Sequence, residues 1–226
     1  SDYSAAILSF CLDAKSMTIW KDVEGVLTAD PRLFKNVTKL DRLSYLEAIE
    51  MTYYGASVIH PKTIKPLQNK NIPLFVKSFI NPKGSGTVIT GEIDDVKYPP
   101  MIMVEKNQIL LHISTKDYSF LVESHIKRLF TVFDEYRIFV NMMQNTAISF
   151  YACVTNVPDR IPEMLKTLED DFHIRIDEGL ELITIRHSIP HVYDMVRAGK
   201  MILLEEHIGK TIQLVVKDVP EMQWLK

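Results

Sequence analysis

The sequence predicts an α/β protein in two parts: an α/β layer, then a unit of βαββαβ order followed by an incomplete second copy. Three observations carry this. Strand-like and helix-like runs alternate over the first 80 residues, and turn formers crowd residues 80–100 in NPKGSGT, GEIDD and YPP. From residue 108 onward, a strand, helix, strand, strand rhythm then occurs twice, about 75 residues apart.

The elements follow in order. An apolar helix begins near Ser4, MTIW (17–20) reads as a short strand, and KDVEGVLTADPR (21–32) is a loop rich in acids and turn formers. Ser44 and Glu47 fit a capping box for a helix whose apolar face is Leu46, Ile49 and Tyr53, with Gly55 suited to its end. His60 and Pro61 open a helix reaching about Lys70, where His60 caps, and IPLFVKSF (72–79) is a buried strand. This alternation implies parallel strands, and the turn-rich 80–100 stretch marks a boundary.

QILLHIS (108–114) is a strand, and 119–134 a helix with Leu121, Val122, Ile126, Leu129, Phe130 and Phe133 on one side. RIFVNMM (137–143) and AISFYACV (147–154) pair across a polar link. Pro158 opens a helix with Ile161, Met164, Leu165 and Leu168 at helical spacing, and HIRID (173–177) completes the unit. LELITIRH (180–187), a helix over 189–199 stopped by Gly199, KMILLEEH (200–207) and KTIQLVVK (210–217) repeat the rhythm without its last strand. An incomplete copy must borrow a strand, and the apolar MIMV (101–104) is the candidate donor.

Composition narrows the function classes. At 226 residues, 46% hydrophobic and 24% charged, the chain can bury a real core. A formal charge of −3, with Lys and Arg spread along the chain, gives no field for nucleic acid or anionic lipid. No run approaches the roughly 20 apolar residues of a membrane span, so the cytoplasm is the expected location. The two cysteines, Cys11 and Cys153, lie in apolar runs and read as buried free thiols. His187 and His191 stand four apart on a helix, but Pro190 lies between them with no third ligand near, so no metal site is assigned.

Four segments, SDYSAA (1–6), IWKDVEGVLTADPR (19–32), LSYLEAIEMTYYGASVIHPKTIKP (43–66) and IPLFVKSFINPKGSGT (72–87), together resemble the aspartate kinase family in order and spacing. Element order and NMMQNTAISF (141–150) extend the resemblance to that family's regulatory ACT domains. It implies the C-terminal part of an amino-acid-kinase α/β sandwich over 1–95, a first ferredoxin-like ACT domain over 101–179, and a second over 180–226 completed by the strand near 101–105. The implied reaction transfers the γ-phosphate of ATP, with Mg2+, to L-aspartate. A phosphoryl-transfer enzyme of this kind works by holding the reactants in line and neutralising charge.

By the resemblance, Ser1 contacts the substrate, Asp2 is a catalytic acid, and Asp22, Arg32 and Val58 bind nucleotide. Spacing alone makes Ser1 and Asp2 helix caps and DPR a turn with a solvated arginine. Lys21 stands where the family has threonine, Leu27 where it often has tyrosine, and Ser57 where it has lysine, so those contacts are not carried over. The family's phosphate-binding lysine and glycine loops are absent from this sequence, so the chain alone is expected to be inactive.

ACT domains pair side by side, which implies a homodimer, and hold a free amino acid near the first strand-to-helix turn. That maps to Ser114, Asp117, Phe120, Leu121, Val140, Asn141, Gln144, Asn145 and Thr146. Asp117 and Asn141 suit an α-amino group, although QNT reads equally as a polar link between strands. Asn141 and Ala147 replace a common Asp and Glu that help recognise lysine in lysine-sensitive relatives, a departure that weighs against lysine; lysine is still favoured over threonine or no effector. The alternative reading is an amino-acid-sensing module without catalysis of its own.

Overall fold

The computed structural model describes residues 2–56, 58–91, 97–117 and 119–219. They form two compact units, one comprising residues up to Met103 together with Ile185–Ile189, the other Val104–Thr184 with Pro190 onward. The α/β expectation holds in both.

In the first unit the elements are α1 (Asp2–Cys11), β1 (Met17–Lys21), β2 (Arg42–Ser44), α2 (Tyr45–Tyr53), α3 (Pro61–Asn69), β3 (Leu74–Ser78) and β4 (Thr87–Thr90). The sheet order is β1-β3-β4-β2; β1 pairs with β3 and β2 with β4 in parallel, whereas β3 and β4 run antiparallel. The sheet is therefore mixed, and the antiparallel partner β4 lies inside the turn-rich stretch read as a boundary. Ile19, Leu43, Leu74, Val76 and Ile89 from the strands pack with Ala6, Ala48, Met51, Ile64 and Leu67 from the helices.

The loop after β1 is more ordered than its composition suggests. Thr28 N donates to Thr38 O, Leu40 N donates to Val26 O, and Leu27 bridges Lys39, so residues 26–40 double back on themselves. Thr87, fully buried, pins this excursion: its hydroxyl accepts from Val26 N at 2.8 Å and donates to Leu40 O at 2.5 Å. Gly86 before it has φ +68°, and a Cβ there would meet Val76 O at 2.3 Å, so only glycine fits.

Helix α2 corrects two expectations. Its buried stripe is Tyr45, Ala48 and Met51, while Leu46 and Tyr53 are exposed. The helix carries two apolar stripes, and periodicity alone does not say which one meets the sheet. Ser44 does cap, accepting from Glu47 N at 3.0 Å, but Glu47 does not reach back. The Ser44 N–H goes to Tyr98 Oη instead, at 2.9 Å. His60 caps α3 as expected, its Nδ1 accepting from Lys62 N.

The second unit carries a six-stranded sheet in the order β6-β7-β5-β8-β10-β9, from β5 (Met101–Thr115), β6 (Val140–Asn145), β7 (Ser149–Thr155), β8 (Phe172–Arg186), β9 (Lys200–Ile208) and β10 (Thr211–Asp218). One end of each of the two longest strands among the described residues, Met101–Met103 of β5 and Ile185–Arg186 of β8, belongs to the first unit. Helices α4 (Glu123–Glu135) and α5 (Ile161–Leu168) connect strands, as does α6 (Pro190–Arg197). Leu129, Phe133, Met164 and Leu168 pack on Ile109, Leu111, Ile113, Phe150 and Ala152. A second cluster joins Leu110, Met142, Cys153, Leu180, Leu182, Leu204 and Val215.

Several sequence expectations shift here. HIRID and LELITIRH are one strand, β8, bent at Gly179 (φ 70°), just as β5 bends at Asn107 (φ 58°). A left-handed residue mid-strand looks like a break in sequence but only redirects the chain. Pro158 belongs to a turn, and α5 starts at Ile161 with Pro162 in its first turn. Helix α4 starts at Glu123, after Val122 in extended geometry at its N-cap, and Leu121 N donates to Ala147 O. Gln144 and Asn145 lie within β6 rather than in the link. Cys11 is exposed on α1, contrary to the buried reading, while Cys153 is buried; both are free thiols.

Candidate functional site

In the first unit the carboxyl ends of the parallel pair β1 and β3 stand side by side, Lys21 opposite Ser78. Open α/β sheets bind ligands at such ends. Asp2, at the start of α1, is brought there by an ion pair: its Oδ2 accepts from Lys21 Nζ at 3.0 Å, with both side chains about three-quarters buried. Asp22 follows on the loop, exposed. Arg32 lies on the excursion pinned by Thr87, with its side chain 83% exposed and its Nη2 2.7 Å from Asp30 Oδ2. Asp30 hydrogen bonding and charge hold the guanidinium firmly protonated, with a lesser attraction from Asp22. Val58 is half-buried against the first core, beyond the end of α2.

The structure thus unites Asp2 with Lys21, and places Arg32 with Asp30. Ser1 lies outside the described residues, as does Ser57. Lys39 was missed: its Nζ donates to Ser85 Oγ at 2.7 Å and Gly86 O at 3.0 Å, and pairs with Asp41. With Glu24, Ser78, Asn81 and Gly84 it lines a hollow of about 150 Å³. The signal available was GSGT after a strand, which reads as a turn but also suits backbone approach to a ligand. Among the described residues no group of three His, Cys, Asp or Glu side chains is placed to hold a metal ion.

In the second unit, the segments holding the amino-acid candidates meet at one end of the sheet. Ser114 pairs with Ser149, Leu121 N donates to Ala147 O at 2.8 Å, and Thr146 Oγ1 accepts from Ser149 N at 3.2 Å. Gln144, Asn145 and Thr146 are exposed, Phe120 is 72% exposed, and Leu121 is partly buried on the core. Asp117 is exposed and accepts from Ser119 N; hydrogen bonds from Ser119 hold its carboxyl below the usual range.

Asn141 and Val140 sit about 13 and about 17 Å further along β6, at ~3.3 Å per residue from Asn145. The pairing of β6 with β7 shifts register between Val140 and Met142, and Asn141 occupies that irregularity. Its Nδ2 donates to Gln108 Oε1 at 2.8 Å and Thr155 Oγ1 at 3.0 Å. Gln108 is 1% exposed and also receives a weak contact from Cys153 Sγ. Burial and the nearby Glu105 push the Cys153 thiol up to about 12, and burial raises the Glu105 carboxyl as well. Sequence reasoning missed Gln108 and Glu105, whose only mark was polarity beside an apolar strand.

The Amino acid kinase family signature matches residues 1–78. Aspartokinase 1, chloroplastic, of Arabidopsis thaliana is 35% identical over 200 residues, covering 84% of this chain and 35% of that protein. The crystal structure of Escherichia coli aspartokinase III in complex with aspartate and ADP superimposes with a TM-score of 0.80 at 24% identity, over 95% of this chain and 52% of the other. The same enzyme in complex with lysine and aspartate gives 0.77 at 24% identity, over 96% and 51%. The chain thus spans about a third of the first relative and half of the two solved chains.

Proposed function

We propose, since this chain belongs to the aspartokinase family, that the protein containing it transfers the γ-phosphate of ATP to the β-carboxylate of L-aspartate and is regulated by an amino acid bound at ACT domains. The observation that carries the catalytic reading is the ion pair of Asp2 with Lys21 at the carboxyl ends of β1 and β3. Lys21 fixes the Asp2 carboxylate, and two of its three donors remain for phosphate oxygens. Arg32, always charged and on an exposed arm, exchanges Asp30 for a phosphate, which its planar fork fits equally well. Val58 offers an apolar contact to the nucleotide. ATP supplies the phosphoryl group, and its accompanying Mg2+ would be held largely by phosphate oxygens and water.

Residues 1–95 are assigned to the amino-acid-kinase domain, 101–179 to a first ferredoxin-like ACT domain, and 180–226 to a second. The strand order β6-β7-β5-β8 is that of a βαββαβ unit, and β8-β10-β9 repeats it with β5 beside β8 as the borrowed strand. The bend at Gly179 falls where the two copies divide. The effector site proposed is Ser114, Asp117, Phe120, Leu121, Gln144, Asn145 and Thr146 at one end of the sheet, with Val140 and Asn141 further along β6, and lysine, which a relative of the same fold binds, is the effector favoured over threonine. ACT pairing makes the protein a homodimer. No helix among the described residues is long and apolar enough to cross a membrane, in keeping with a cytoplasmic enzyme.

The test has two arms. Full-length protein with ATP, Mg2+ and aspartate should form aspartyl phosphate; no product refutes the kinase reading. This chain, titrated with lysine, should gain about 2.7 kcal/mol of stability at 100 times Kd. No thermal shift with lysine or threonine refutes the effector site, and a shift without turnover in the full-length protein favours the amino-acid-sensing module.

A further inference from the structure

Glu47 follows the capping serine of α2 at the spacing of a capping box, yet its carboxylate points elsewhere. The Ser44 N–H that it would accept is already taken by Tyr98 Oη. Glu47 is instead gripped by Arg186, 139 residues away in sequence. Arg186 Nε donates to Glu47 Oε1 at 2.7 Å and Nη2 to Oε2 at 3.0 Å, a bidentate fork, while Nη1 donates to Glu50 Oε2 at 2.8 Å. The Glu47 side chain is 6% exposed and that of Arg186 13%. His187 Nε2 lies 3.1 Å from Glu47 Oε1, off the line of a hydrogen bond, and its ring packs on that of Tyr98 at 5.3 Å between centroids. The 185–189 segment therefore holds α2 twice, at Glu47 and Glu50 directly and at Ser44 through Tyr98.

We propose that Arg186 is a positioning residue for the nucleotide-binding segment that ends in Val58. The proposal rests on the kinase reading above. The other buried residues of α2 hold it without charge: Ala48 and Met51 by apolar packing, and Tyr45 by packing with one neutral hydrogen bond, its hydroxyl donating to Ile72 O at 2.6 Å, so the carboxylates at Glu47 and Glu50 are where charge sets its position. The chain leaves α2 through Tyr54 N to Glu50 O and Ala56 N to Met51 O, so the Val58 segment is referenced to the turn that Arg186 grips. Binding geometry is sensitive to displacements of about 1 Å. A charged fork meeting two carboxylates from one helix face sets rotation and height together, which a single point charge cannot.

Arg186→Met and Arg186→Lys in the full-length enzyme test this. Arg186→Met should raise KM for ATP about tenfold while kcat and KM for aspartate change by less than about twofold, and Arg186→Lys should recover only part of the loss. An unchanged KM for ATP, or a fall in kcat alone, overturns the proposal. If the unaltered protein makes no aspartyl phosphate, the kinase reading fails, and hydrogen exchange on this chain decides the positioning role separately. Amides of residues 47–58 should then exchange about ten times faster in Arg186→Met with those of β7 unchanged; equal protection in both proteins overturns it.

Discussion

Removing the Arg186 guanidinium should destabilise the first unit in a way that depends on pH. In Arg186→Met the Glu47 carboxylate, 6% exposed, loses both fork bonds. Breaking a buried ion pair from one side costs about 3–5 kcal/mol, because the other charge is stranded. Glu47 can escape by taking up a proton, which caps that penalty. From its ordinary value of 4.5 to pH 7 is 2.5 units, about 3.4 kcal/mol at 1.36 per unit. For a chain of this length that is roughly a 7–14 °C fall in Tm. At pH 5 the cap is only about 0.7 kcal/mol. The unaltered chain moves the other way: burial pushes the Glu47 carboxyl up, but Arg186 and then His187 outweigh it and hold it below 4.5. Its contribution is present above that value and is lost as pH falls through the lower folded one. Thermal melts of both proteins from pH 7 to 4 should therefore converge with acid. A constant gap across that range would show that Arg186 acts by packing, and the argument from a stranded charge would be wrong.

Three more outcomes follow. Cys11 should react with a small alkylating agent in the folded chain while Cys153 reacts only after denaturation, a difference mass spectrometry reads after peptide digestion. Glu105→Gln should raise Tm, and by more at pH 8 than at pH 5, because burial raises this carboxyl and the folded state loses stability as pH rises through it; a stabilisation equal at both would count against that. Thr87→Val strands the Val26 N–H and the Leu40 carbonyl in the core, at about 1–3 kcal/mol each, and should lower the urea midpoint accordingly.

Much of this architecture is written in local pattern. Ser44, the His60–Pro61 pair and Gly199 mark helix ends through chemistry that acts within a few residues, and the structure keeps all of them. What local pattern leaves open is choice between equivalents. Helix α2 offers Leu46 or Ala48 to the sheet, and only the sheet decides. Gly179 marks either the end of a strand or a bend within one. The candidate site divides likewise: SDYSAA and DPR point to Asp2 and Arg32, but nothing nearby announces that Lys21 is Asp2's partner or that Asp30 holds Arg32. Asn141 was readable as a polar residue in a strand, and its engagement with Gln108 follows from a register shift that no periodicity encodes.

The boundary between the two units crosses β8 between Thr184 and Ile185, so the first unit is not one continuous stretch of chain. Its closing piece is delivered by the far end of a strand that otherwise serves the second. A fragment ending at Met103 would carry every residue proposed for nucleotide binding and still lack the counter-ion of Glu47. The same holds for a chimera: replacing the second unit by that of another protein also exchanges the residue at position 186, so an incoming strand without an arginine there would bring the stranded charge with it. Cutting the chain at the linker would thus break a charge pair whose second member lies at a position that inspection of the linker would never visit.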